Sequence, residues 1–152
     1  MPYLSDQQAM ELAYVEAEKA KAQGEVPVGA VVIRDGEILG RGFNNSITNH
    51  DPSAHAEIIA MRMAGDNLKN YRLSGCSLYV TLEPCAMCAT AILHARIARL
   101  VFATWDEKAG AVVSAENLLD SAWANHRVSW SSGVMQDECT QLLKDFFEQR
   151  RS

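Results

Sequence analysis

The segment Ser77-Leu78-Tyr79-Val80-Thr81-Leu82-Glu83-Pro84-Cys85-Ala86-Met87-Cys88 changes its periodicity part-way along. Ser77 to Thr81 is an apolar, strand-like run, and Pro84 suits the first turn of a helix reading to about Arg96. Leu100 to Ala103 then reads as a further strand. Strand, helix, strand at this length is the pattern of a parallel crossover, which makes the chain an α/β protein.

Working towards the N-terminus, Pro52 and Ser53 read as the start of another helix running to about Gly65, with Ile58, Ile59, Met61 and Met63 as its apolar face. Asn44 to Asp51 is a polar loop. Val26 to Ile33 and Ile38 to Phe43 flank an Asp35-Gly36 turn and read as a β-hairpin. Ser5 with Gln8 forms a capping box ahead of Met10, Ala13, Ala17 and Ala20, giving a first helix that ends near Gly24. Towards the C-terminus, Asp106 to Arg127 reads as a loop with a short helix around Ala115 to Ala122. Val128 to Ser131 reads as a fifth strand, and Met135 to Arg150 as a terminal helix. With no repeat or linker, the expectation is one domain over residues 1–152, helices packed on a mixed sheet.

Composition narrows the function. The chain has 152 residues, 48% hydrophobic and 22% charged, as expected for an ordinary globular domain. Such a length supports a sizeable core without a disulfide or metal staple, so a metal here serves function. Cys85 to Thr104 is the most apolar stretch, but His94, Arg96 and Arg99 interrupt it, so no membrane span is expected. Met1 to Gln8 has no basic and apolar leader, which points to a cytoplasmic location. A formal net charge of −5 opposes indiscriminate binding to nucleic-acid backbones, so no DNA partner is expected.

The chemistry rests on His55-Ala56-Glu57 and on Cys85 and Cys88, each group at the head of an expected helix. Residues three apart share a helix face, so both thiolates can reach one ion, with His55 as a nitrogen ligand. Two thiolates and an imidazole suit zinc and fill three of its four positions, leaving one for water. An open position implies catalysis, since zinc generates hydroxide at neutral pH. Glu57, two residues from His55, is then placed to manage the proton.

His55-Ala56-Glu57 with Pro84-Cys85-Ala86-Met87-Cys88 is the described signature of zinc deaminases. The chain resembles the cytidine-deaminase-like superfamily, and within it the bacterial tRNA-specific adenosine deaminases. Glu25 to Ala30, Asn44, Asp51 to Glu57, Tyr79 to Cys85, Asp106 to Gly110, Asn125 to Val128 and Phe146-Phe147 follow the family's order over nearly the whole chain. It departs after Gly110, where Val112, Val113, Ser114, Ala115 and Glu116 replace a small-residue, Gly-Ser run.

The resemblance implies a three-layer α/β/α sandwich around a mixed five-stranded sheet, one zinc per chain on His55, Cys85 and Cys88, and Glu57 as proton shuttle. It implies hydroxide attack on purine C6, converting adenosine to inosine at the wobble position of a tRNA anticodon. Val28 and Ala56 would line the base pocket, and Asn44 would bond the purine edge. Asp106 would meet a ribose hydroxyl and Lys108 a phosphate. The terminal helix, with Phe146, Phe147, Arg150 and Arg151, would lie against the anticodon stem-loop. A homodimer is implied as well.

Other readings are weighed beside it. Position 59 is Ile59, where a zinc protease needs a second His, so that reading fails. A lone C-x-x-C is equally compatible with a redox pair. A deaminase of a free base or nucleoside, of guanine or cytosine type, would share all four zinc-site residues. A zinc-stabilised binding module would need a fourth protein ligand from Cys76, Cys139, His50, His94 or His126. Cys76 and Cys139 read as small buried hydrophobes, and adjacent Phe146 and Phe147 cannot share one helix face, so one packs while the other faces outward.

Overall fold

The computed structural model describes residues 3–151; Met1, Pro2 and Ser152, and the side chain of Arg151, lie outside the described residues. Helix α1 (Asp6–Ala22) opens on the expected capping box between Ser5 and Gln8. A hairpin of β1 (Gly29–Arg34) and β2 (Glu37–Phe43) follows. Its turn places Asp35 and Gly36 at φ 53 and 77, the left-handed conformation that an Asp-Gly hairpin turn requires. Next come α2 (Ala56–Leu68), β3 (Ser77–Leu82), α3 (Ala86–His94), β4 (Arg99–Thr104), β5 (Ser129–Ser132) and α4 (Gln136–Arg151).

The five strands lie in the order β2-β1-β3-β4-β5. β1 runs antiparallel to both β2 and β3, whereas β3, β4 and β5 are parallel, so the sheet is mixed. Alternation along the strands divides the core in two. Ala30, Val32, Leu78, Val80, Leu100 and Phe102 point to one face and pack with Ala56, Ala60, Ala89 and Ile92 of α2 and α3. Val31, Ile33, Tyr79, Val101 and Ala103 point to the other face, against Ala9, Met10 and Ala13 of α1 and Cys139 of α4. The result is the expected three-layer sandwich.

Three local expectations are corrected. The second helix begins at Ala56, not at Pro52, because Asp51 first bends the chain by accepting from the Ser53 N–H (2.9 Å) and hydroxyl (2.7 Å). Its buried face is Ala56, Ala60, Met61 and Ala64, while Met63 is exposed and Ile58 and Ile59 are half-buried. Gly40 and Gly42 of β2 explain this: a Cβ on either would stand 2.0 Å from the Ala60 carbonyl oxygen or 2.5 Å from that of Ala56. The helix therefore rests on the sheet backbone to backbone, and only alanines fit along the contact. The third correction concerns Ala115 to Ala122, which holds only one 3₁₀ turn, Leu118–Asp120.

Candidate active site

Both helix starts that carry the motifs converge on one point. His55 is the N-cap of α2 and Cys85 the N-cap of α3, so neither residue is fixed by helical geometry and both side chains lie at the positive ends of their helices. His55 Nδ1 lies 3.6 Å from the Cys85 Sγ and 3.6 Å from the Cys88 Sγ. All three donor atoms lie within 4.8 Å of one another, and no fourth His, Cys, Asp or Glu joins them among the described residues. A tetrahedral zinc with bonds of about 2.05 Å to nitrogen and 2.3 Å to sulfur separates those atoms by about 3.6 Å, which the protein already provides. His55, Cys85 and Cys88 thus form a three-residue zinc site.

Electrostatics prepare the ligands. The hydrogen bond from Cys88, and next the one from His55, bring the Cys85 thiol down to about 4. Hydrogen bonding to Cys85 raises His55, so the two groups hold each other in charged form. Glu57 is 4% exposed beside them, and burial lifts its carboxyl to about 7. A carboxyl balanced near neutrality both accepts and gives a proton.

Val28 and Asn44 connect to this centre by a chain of hydrogen bonds. The Val28 carbonyl accepts the Asn44 N–H at 3.1 Å, and Asn44 Oδ1 accepts the Ala56 N–H at 2.9 Å, between His55 and Glu57. Asn44 thereby satisfies a helix N-terminus whose own N-cap side chain makes no capping bond. Asp106 turns onto its own loop: its Oδ1 accepts the Lys108 and Ala109 N–H groups, and that loop is tied to Pro84 by Ala111 N–H donating to the Pro84 carbonyl at 2.8 Å. Lys108 is exposed on that loop. On α4, Phe146 is buried and Phe147 is exposed, the division expected of adjacent helical residues. Arg150 is exposed, donating to the Gly24 carbonyl at 2.5 Å and covering the Phe146 ring at 4.9 Å. Cys76 and Cys139 are free and buried, away from the metal ligands.

Two acidic residues escaped the sequence reading, although both lie in segments that carry the resemblance. Glu25 is buried and accepts the Ile47 and Thr48 N–H groups and the Thr48 hydroxyl, tying down the loop before Asp51. Glu83, also buried, accepts the N–H groups of Asp106, Val112, Val113 and Ser114 and the Ser114 hydroxyl. Burial pushes its carboxyl up, but the Ser114 hydroxyl and the backbone donors outweigh burial and hold it below the usual range. The visible signal was an acidic residue at the end of an apolar strand, where a charge needs partners.

Comparison with known proteins follows this geometry. Residues 4–104 match the zinc-binding region of cytidine and deoxycytidylate deaminases. A tRNA-specific adenosine deaminase of Haemophilus influenzae is 52% identical over 147 residues, covering 96% of this chain and 85% of that protein. The chain belongs to the tRNA-specific adenosine deaminase family. A solved structure from studies of A-to-I editing by tRNA:A34 deaminases at the wobble position of transfer RNA superimposes with a TM-score of 0.87. It is 44% identical and covers 89% of this chain and 98% of its own. A guanine deaminase from Nitrosomonas europaea shares the fold alone, at 22% identity and TM-score 0.83 over 95% of this chain and 86% of its own. Membership accounts for the three-ligand site, since the family is zinc-binding and hydrolytic.

Proposed function

We propose that the chain hydrolyses adenosine to inosine at the wobble position of a tRNA anticodon, with release of ammonia. The observation that carries the reading is Glu57, buried beside a three-residue zinc site, in a chain matching tRNA-specific adenosine deaminases along its length. Zinc held by His55, Cys85 and Cys88 supplies Lewis acidity, which makes hydroxide available at neutral pH.

The chain's own residues do the rest. Glu57 accepts a proton from the attacking water and delivers it to purine N1 as C6 becomes tetrahedral. Glu57 then takes the remaining proton of the new C6 hydroxyl and delivers it to the amino group, which leaves as ammonia while C6 becomes the carbonyl of inosine. Asn44, its Oδ1 held by the Ala56 N–H, presents its amide nitrogen to the purine edge. Val28 and Ala56, both buried, wall the pocket, into which the wobble base enters unstacked from its loop. Asp106 meets a ribose hydroxyl and Lys108 a phosphate, with Phe147 and Arg150 on the flank of the RNA. Recognition by one flipped base and by local shape reconciles an RNA substrate with a net charge of −5.

The enzyme acts as a cytoplasmic homodimer; no helix among the described residues is long and apolar enough to cross a membrane. The α2–α3 face supports the dimer, with a cavity of about 720 Å³ lined by Ile58, Met61, Leu73, Ala91 and the exposed Tyr71. The test incubates the zinc-loaded protein with an anticodon stem-loop bearing wobble adenosine, and separately with free guanine, cytosine and cytidine. Inosine from the stem-loop, with the small substrates untouched, is expected. Turnover of a free base without stem-loop deamination overturns the tRNA reading and leaves the zinc chemistry in place.

A further inference from the structure

β3 and β4 end side by side, with Leu82 paired to Thr104. Cys85 and Trp105 therefore emerge from the same end of the sheet, on neighbouring strands about 4.8 Å apart at their last pair. Beyond Thr104 a cavity of about 470 Å³ opens between this strand end and α4, within the range of small-ligand pockets. Trp105, Thr140, Lys144, Phe147 and Glu148 line it.

Its aromatic content is unusual for a surface. Trp105 is 39% exposed and Phe147 is 44% exposed, and both border the same opening. Trp105 is braced from behind: its ring meets Phe102 edge-on at 5.2 Å and Trp130 at 6.4 Å. The wall is fixed by the Thr140 hydroxyl donating to the Thr104 hydroxyl at 2.7 Å. Lys144 is exposed and forms no ion pair among the described residues, while Glu148 in the same lining opposes a general anion site. A rigid aromatic wall with one free ammonium and an acidic counterweight suits a flat neutral base whose phosphate reaches the lysine.

We propose that this cavity is a stacking subsite for one nucleobase flanking the edited adenosine, with Trp105 as the stacking surface, Phe147 opposite and Lys144 on the adjoining phosphate. The proposal rests on the tRNA reading. It adds Trp105, a residue next to Asp106 that no zinc chemistry requires. Stacking on aromatic side chains is how single-stranded bases are commonly held, and every base offers a face for it.

The test is a cycle between protein and substrate. Zinc-loaded wild type, Trp105→Ala and Trp105→Phe are assayed on an anticodon stem-loop and on versions lacking the base at each position flanking the edited adenosine. Trp105→Ala should lower kcat/KM about 5- to 150-fold, the factor for losing one stacked base, mainly through KM. Trp105→Phe should restore most of it. At one flanking position, base removal should cost the wild type the same factor and cost Trp105→Ala almost nothing. Multiplying losses at every position overturn the subsite, as does loss of the dimer in Trp105→Ala by mass measurement, which would assign the wall to subunit contact. A wild type that yields no inosine from the intact stem-loop overturns the tRNA reading itself, and the subsite with it.

Discussion

Replacing Glu83 by Gln changes one oxygen into an NH₂ group and removes one charge, so its consequence can be worked from the bonds. Oε2 accepts the N–H groups of Val112, Val113 and Ser114 at 3.2, 2.9 and 3.0 Å, and Oε1 accepts the Asp106 N–H at 3.1 Å together with the Ser114 hydroxyl. The amide orients its oxygen to the three donors, leaving its nitrogen towards Asp106. The Ser114 hydroxyl can rotate to accept, but the Asp106 N–H loses its partner, which costs about 1 to 3 kcal/mol when buried. The three surviving bonds lose their charge assistance, about 1 kcal/mol each before the loop relaxes. Relaxation into water returns part of this, so a net loss of about 2 to 4 kcal/mol is expected.

For a chain of this size that corresponds to a fall in Tm of about 5 to 15 °C. Calorimetry on the zinc-loaded protein reads it, and amide exchange localises it: the Val112, Val113 and Ser114 amides should exchange about 30- to 1,000-fold faster. Zinc content should be unchanged, since Cys85 keeps its place at the start of α3. A Tm within about 2 °C of wild type, with exchange at those amides unaltered, would refute the role given to Glu83.

Cys85→Ala or Cys88→Ala should each release zinc and abolish deamination together, read by metal analysis and inosine assay; full zinc occupancy in either variant would contradict the ligand set. Glu57 has its folded pKa raised to about 7 by burial, so its own contribution to the stability of the metal-free protein should fall by about 3 kcal/mol as pH rises from about 4.5 to 7. Glu57→Gln should flatten that slope, gaining Tm over wild type at pH 8 but not at pH 4.5, and should retain zinc when loaded while losing about 10² to 10⁴ in turnover. Gly42→Ala should push α2 from the sheet, costing about 1 to 3 kcal/mol and weakening zinc binding; an unchanged Tm would show that the contact with the Ala56 carbonyl yields easily.

The apolar runs of β3 and β4 and the Asp-Gly hairpin were legible because each depends on neighbours in sequence. The zinc ligands were legible for a different reason: their spacing and chemical softness restrict what they can do together. The start of α2 was misplaced because Pro52 is a good first helical residue, while the Asp51 side chain that overrides it bonds two residues ahead. The helix face was misread because hydrophobicity favoured Ile59 and Met63, whereas fit against Gly40 and Gly42 selected alanines, a condition set by a strand some twenty residues earlier. Arg150 reads as a solvated terminus or an RNA contact, and its bond to the Gly24 carbonyl, 126 residues away along the chain, leaves no signal in the sequence. Glu83 could be quoted from the sequence but not explained, because its five donors belong to a loop with no secondary-structure pattern of its own.

The contact of α2 with Gly40 and Gly42 sets how far the metal centre can breathe. Side chains in most cores hop between rotamers, and an element resting on them shifts as they do. Alanine methyls and bare backbone have no such alternatives, so the first turn of α2, bearing Glu57, is indexed to β2 by a spacer without internal freedom. Compliance is thereby left to the two N-caps, His55 before α2 and Cys85 before α3, which stand outside their helices. An ion of larger radius than zinc would be accommodated by displacement of these two N-cap ligands, with Glu57 left in register with the sheet and out of register with the ion.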